Sequence, residues 1–153
     1  MTTVWILGDQ LASAHPALAG LSRPDTRVLM VESKARGSLE RYHQVKLVLV
    51  YSAMRHYAQE LRAQGWQVDY HGLEEEHSFA SALAAHTGQH RPSRLLLSEP
   101  NSFAETRAVE QLAARAGVPL SLLPSPAFLL PREEFREWAA GQPRLLMEPR
   151  FAR

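Results

Sequence analysis

Thr3-Val4-Trp5-Ile6-Leu7-Gly8-Asp9-Gln10-Leu11 decides the architecture of this chain. Its first five residues are β-branched, aromatic or aliphatic, which suits a strand buried on both faces. Glycine then halts the run, and a carboxylate and an amide follow as a short polar lip. In an open α/β sheet such a lip stands at the carboxyl end of the strands, where ligands bind. Four further segments close in similar punctuation: Glu32-Ser33, His71-Gly72, Glu99-Pro100 and Pro124-Ser125.

Working outward, residues 27–31, 94–98 and 118–123 repeat the apolar run. Residues 66–70 (Trp-Gln-Val-Asp-Tyr) alternate as an edge strand does, and Pro119 fits the start of another edge strand. Between the strands lie helical patterns. Residues 39–64 carry Leu47, Val50, Met54, Tyr57 and Leu61 at helical spacing and stop at Gly65. Residues 78–86 open at Ser78. Residues 102–116 open with a Ser102-x-x-Glu105 capping box and end at Gly117. Residues 132–140 form a short last helix with Phe135 and Trp138. The alternation predicts a Rossmann-like, doubly wound parallel sheet of five strands, with helices on both faces.

The bulk properties agree. The chain has 153 residues, net charge +1, 45% hydrophobic and 22% charged residues, and no cysteine. That composition suits a globular domain and gives no general drive toward nucleic acid or an acidic membrane. Thiol catalysis and cysteine-ligated clusters are excluded within these residues. Without a secretory signal or a bilayer-length apolar run, a cytoplasmic location with no membrane partner is expected. The abrupt stop at Met147–Arg153 suggests a domain cut from a longer protein.

The rim residues point to the kind of ligand. No Gly-x-Gly-x-x-Gly follows the first strand, and no Gly-Lys-Ser/Thr follows any strand, so a phosphate cradle is missing. Asp9 would repel phosphate but would accept hydrogen bonds from hydroxyl or ring N–H groups. Glu32 ends strand two, where nucleotide folds place an acid against a ribose diol. Glu99 adds a third carboxylate at the end of strand four. Asp9, Gln10, Glu32 and Glu99 thus favour a polyhydroxylated or N–H-rich heterocycle. Each also has a plainer reading: Asp9 as a helix cap, Glu32 and Glu99 as solvated strand ends, Lys34 and Arg36 as solvated loop cations, Gly8 as a turn glycine. His86 and His90 have metal-pair spacing, but Gly88 between them and Pro92 after them argue against a metal site. Glu74-Glu75-Glu76 reads as a solvated turn. No catalytic constellation is visible, and whether the chain is an enzyme stays open.

Several of these segments also carry a resemblance. Ile6–Leu11, Val31-Glu32-Ser33, Lys46–Ala58 with its Ser52-Ala53-Met54-Arg55-His56 core, Leu97-Ser98-Glu99-Pro100 and Glu134–Gly141 form one ordered set. The set resembles the N-terminal domain of the deoxyribodipyrimidine photolyase-related proteins, the bacterial iron–sulfur cryptochromes and (6-4) photolyases. The resemblance implies an α/β antenna domain over residues 1–130. Residues 131–153 would start a linker toward a helical domain, absent here, that holds FAD, an iron–sulfur cluster and the DNA site. It further implies a 6,7-dimethyl-8-ribityllumazine-type antenna chromophore, bound by Gly8, Asp9, Glu32 and Glu99 together with the loop Ser33, Lys34, Ala35 and Arg36. The alternative expectation is a non-catalytic Rossmann-like module that binds no chromophore and self-associates as a homodimer, through a face near Trp138 and Phe151.

Overall fold

The computed structural model describes residues 1–75 and 77–145. Within it the chain divides into two compact units, Met1–Leu123 and Pro124–Arg153. The first unit is built on five parallel strands: β1 (Thr2–Trp5), β2 (Thr26–Val31), β3 (Gln67–His71), β4 (Arg94–Ser98) and β5 (Leu120–Leu123). They lie in the order β3-β2-β1-β4-β5. Both Thr2↔Thr26 and Thr2↔Arg94 pair in register, so β1 is central and the chain reverses direction of travel between β1 and β4. That reversal is the topological switch point, where open sheets of this kind hold ligands.

The strands follow from their residues. Val4, Trp5, Val28, Leu29, Met30, Leu95 and Leu97 are fully buried, as continuous apolar runs covered on both faces must be. Both edge strands are wetter. β3 is half-buried along most of its length, and Pro119 precedes β5, offering its carbonyl to the Leu95 N–H. On one face, Val4, Ile6, Val28, Met30 and Leu96 pack against Met54, Tyr57, Ala58 and Leu61 of α2 (Gln44–Ala63). On the other, Trp5, Leu29, Leu95 and Leu97 pack against Ala82 and Leu83 of α3 (Phe79–His90) and Val109 and Ala113 of α4 (Phe103–Ala116).

Three details depart from the sequence reading. A four-residue helix, α1 (Lys34–Gly37), follows β2, and α2 starts only at Gln44, where the His43 imidazole accepts from the Val45 N–H. The α3 helix runs through Gly88 to His90, because burial of Ala82, Leu83 and His86 outweighs the ~1 kcal/mol a helical glycine costs. Only half of the Ser102 capping box forms: Ser102 Oγ accepts from the Glu105 N–H at 3.1 Å, while the Glu105 carboxylate turns to Arg36. Gly65 and Gly117 end their helices as expected, with φ of 89° and 68°.

In the second unit, α5 (Arg132–Ala140) packs Phe135 against Trp138 at 5.5 Å between ring centroids. Phe151 and Met147–Arg153 lie outside the described residues. No helix among the described residues is long and apolar enough to cross a membrane.

Candidate functional site at the carboxyl edge of the sheet

The loops leaving β1, β2 and β4 meet at one edge of the sheet, and side chains join them. Gln10 reaches across from the β1 lip. Its Nε2 donates to the Ser98 carbonyl at 2.8 Å and to the Glu99 carbonyl at 3.4 Å. Asp9, exposed, accepts from Asn101 Nδ2 at 2.7 Å. The β1 and β4 lips are therefore tied by two side chains reaching over 88 residues or more of sequence.

The β2 loop is tied to the start of α4. Ser33 Oγ caps α1 by accepting from the Arg36 N–H. The Arg36 guanidinium then pairs with Glu105 and donates to Tyr42 Oη at 2.9 Å, so its own ionisation is raised well above the ordinary arginine range, first by the Glu105 hydrogen bond. Because β1 separates β2 from β4, this pair bridges the width of β1. Arg36 is thus not a free cation, although its side chain stays 37% exposed. Lys34 and Ala35 are exposed on α1.

Most of the rim is held from below by α2. Tyr57 Oη donates to the Ala12 carbonyl at 2.7 Å, and Tyr51 Oη to the Ser33 carbonyl at 3.2 Å. Gly8 has no unusual φ, and its role is close packing. A Cβ there would sit 2.9 Å from Met54 Sδ and 3.1 Å from Val50 Cγ1. Val50 to Tyr57, which includes the Ser52–His56 segment of the family resemblance, is therefore the strut of the rim.

Glu32 overturns both readings that the sequence offered for it. It is neither solvated nor open to a ligand, having no exposed surface. Oε1 accepts from Arg55 Nε at 2.6 Å and from the Tyr70 hydroxyl. Oε2 accepts from Arg55 Nη2 at 2.7 Å and from the Leu73 N–H at 3.1 Å. A carboxylate has about four lone-pair sites, and all are filled. Burial pushes its pKa up, but Arg55, Tyr70 and the Leu73 N–H together hold it below the usual carboxylate value. Burial and the Glu32 carboxylate raise the Tyr70 phenol in turn. Glu32 is a fastener joining β2, α2 and the turn after β3. The three rim carboxylates therefore do not act as one set. Sequence reasoning missed Arg55, Tyr70 and Leu73, which lie 23, 38 and 41 residues away.

The β1–β4 half is left less complete. Ser98 Oγ is buried at the end of β4 without a partner among the described residues. The Glu99 carboxylate, next in sequence and half-buried, also has none among them. His15, buried in the loop after β1, accepts from the Ala17 N–H through Nδ1, while its Nε2 has no partner among the described residues. Its pKa falls to about 4 through burial, so it is neutral at pH 7. A separate concavity of about 320 Å3 lies between α4 and β5, lined by Glu110, Ala113, Ala114, Val118, Leu120 and Leu122. With one carboxylate among apolar side chains, it lacks the convergent polar groups of the rim.

The histidine pair that the sequence argued against as a metal site, and a second group it did not single out, both form clusters with carboxylates. His86 and His90 meet Asp69 of β3, and His71 meets Glu75 and His77. The triple-glutamate turn is thus not merely solvated: Glu75 pairs with His71 at 2.7 Å, and Glu74 lies 3.9 Å from Arg55. Glu76 lies outside the described residues.

Against known proteins, the sequence model of the deoxyribodipyrimidine photo-lyase-related protein family matches residues 4–152. A (6-4) photolyase of Agrobacterium fabrum (strain C58 / ATCC 33970) is 32% identical over 148 residues. The alignment takes in 95% of this chain and 29% of that protein, so the chain spans under a third of its relative's length.

Proposed function

The chain belongs to the deoxyribodipyrimidine photo-lyase-related protein family, and from that premise we propose that it is the light-harvesting, chromophore-binding part of a photolyase- or cryptochrome-type flavoprotein. The ligand is a 6,7-dimethyl-8-ribityllumazine-type chromophore, seated at the switch point between β1 and β4. One observation carries this reading: the Ser98 hydroxyl is buried at the end of β4 with no partner among the described residues, at the edge where open α/β sheets bind ligands. A buried polar atom without a partner costs stability unless something supplies one. Ribityl hydroxyls and ring N–H groups are suitable partners, whereas phosphate would be repelled by two carboxylates.

Asp9 and Glu99 accept from ligand hydroxyl or N–H groups, Gln10 holds the two lips together, and Ser98 offers a donor or acceptor. Gly8, Ser33 and Arg36 shape the rim, with Lys34 and Ala35 at its outer edge. When bound, the chromophore absorbs light and passes excitation through space. The protein only fixes its position and orientation, and moves no proton. In longer family members the acceptor would be FAD in a helical domain that also meets DNA and holds an iron–sulfur cluster. Light-driven DNA repair or blue-light sensing belongs to that whole.

Titration of the purified chain with 6,7-dimethyl-8-ribityllumazine tests the reading. Saturable 1:1 quenching or a spectral shift, with a rise in Tm, is expected. Neither effect at saturating ligand contradicts it. A second reading, self-association as a homodimer, draws on Val45, Val48 and Leu49, which leave the first turns of α2 at least 60% exposed. Light scattering after size exclusion separates a dimer from a monomer.

A further inference from the structure

We propose that Asp69, His86 and His90 form a binding site for a divalent cation of the zinc type, independent of the chromophore edge. The two histidines are spaced i, i+4 on the unbroken helix α3, so both rings leave the same face. Their nitrogens converge on one atom: His86 Nδ1 and His90 Nε2 each lie 2.8 Å from Asp69 Oδ2. All three candidate donor atoms fall within 4.8 Å of one another. Four-coordinate zinc with ligands at about 2.0–2.1 Å sets its donors ~3.3 Å apart, so the two Asp69–histidine separations need to open by only about 0.5 Å.

Groups behind each ligand already fix its aim. The other nitrogen of His86, Nε2, is 2.8 Å from Thr3 Oγ1 on β1. The other oxygen of Asp69, Oδ1, accepts from Arg27 Nη1 at 3.0 Å on β2. Metal sites are built in this way, with a ligand's second atom hydrogen-bonded to turn the first toward the ion. Arg27 occupies the oxygen the cation does not need. The His86 side chain is fully buried, while those of His90 and Asp69 are 11% and 22% exposed, which leaves a route in from solvent. Two imidazoles and one carboxylate suit zinc better than magnesium or calcium, and a water would fill the fourth position. The bound ion would clamp α3 to the edge strand β3. That strand leads into the turn whose Leu73 N–H holds Glu32.

The second cluster, His71, Glu75 and His77, supplies the control. It is more exposed, with its outer pair 3.5 Å apart. The test strips the full chain with chelator and titrates it with Co2+ as a visible probe, followed by Zn2+ competition. One equivalent should bind, with the intense d–d bands of four-coordinate Co2+, and Zn2+ should displace it. A hundredfold excess of Zn2+ over Kd should raise Tm by roughly 5–10 °C. His90→Ala should weaken binding by more than ~100-fold, and His77→Ala should leave it unchanged. His90→Gln, which keeps the side chain's bulk, should lose binding as well and guards against loss of the fold. Absence of saturable Co2+ uptake overturns the proposal. So does wild-type affinity in both His90 variants, or loss of binding in His77→Ala.

Discussion

At the end of β2 a carboxylate receives four hydrogen bonds and no solvent; two strands away, at the end of β4, another receives none from the described residues. Glu32 and Glu99 stand at equivalent places in the strand–loop grammar of the fold, yet their surroundings assign them opposite work. Where burial is complete and every lone pair is matched, the group is architecture. Where polar atoms at the switch point are left over, the proposed ligand would supply the partner that completes them. The filled half fastens the sheet to α2 and to the turn after β3, and the incomplete half is the proposed binding edge.

Acid should expose the contrast most strongly. His15 is neutral in the fold with a pKa of about 4, against 6.5 for an ordinary histidine. The unfolded chain therefore takes up a proton first, and stability falls as pH drops from about 6.5 to 4, by up to roughly 3 kcal/mol, then levels for this group. Glu32 acts in the opposite sense of charge. Its depressed pKa contributes stability above the ordinary carboxylate value, and that contribution is lost as pH falls through the folded-state pKa. Urea unfolding between pH 7 and 3 measures both. His15→Ala should flatten the upper limb only, and a flat wild-type profile would break the account of these two groups.

Removing the fastener comes next. Glu32→Ala leaves the Tyr70 hydroxyl and the Leu73 N–H without an acceptor, while the half-exposed Arg55 regains water. A loss of about 2 kcal/mol is expected by urea denaturation. A change below 0.5 kcal/mol would mean that Glu32 is not architectural. Gly8→Ala should cost about 1 kcal/mol, because its methyl meets Val50 and Met54 before it meets any ligand. Asp9→Asn sits at the small end, within about 0.5 kcal/mol in stability, since its one described contact is exposed.

Much of the fold was legible because local rules and tertiary packing agree. Thr3–Leu7, Arg27–Val31 and Arg94–Ser98 are apolar enough that only strands of a covered sheet suit them, and Gly65 and Gly117 stop helices by a backbone conformation that glycine adopts freely. The candidate site was legible only in outline. Asp9, Gln10 and Glu99 sit at the rim as their strand-end positions imply. The fate of Glu32 depended on Arg55, Tyr70 and Leu73, which three separate elements bring to it, and no spacing in the chain announces that. Gly88 misled for a related reason: a helix-weakening residue predicts a break only when burial does not oppose it. The histidine pair then gained its carboxylate from β3, 17 residues upstream of His86.

The most direct test sets the two halves of the carboxyl edge against each other in one ligand titration. Lumazine affinity is measured by fluorescence for the native chain, for an Asp9→Asn/Glu99→Gln double variant and for Glu32→Gln, all below their melting temperatures. The double variant should bind roughly tenfold or more weakly with its Tm unchanged, and Glu32→Gln should melt earlier while keeping its affinity. The reverse pattern, with binding lost in Glu32→Gln and kept in the double variant, would contradict the division of the edge into fastener and binding site.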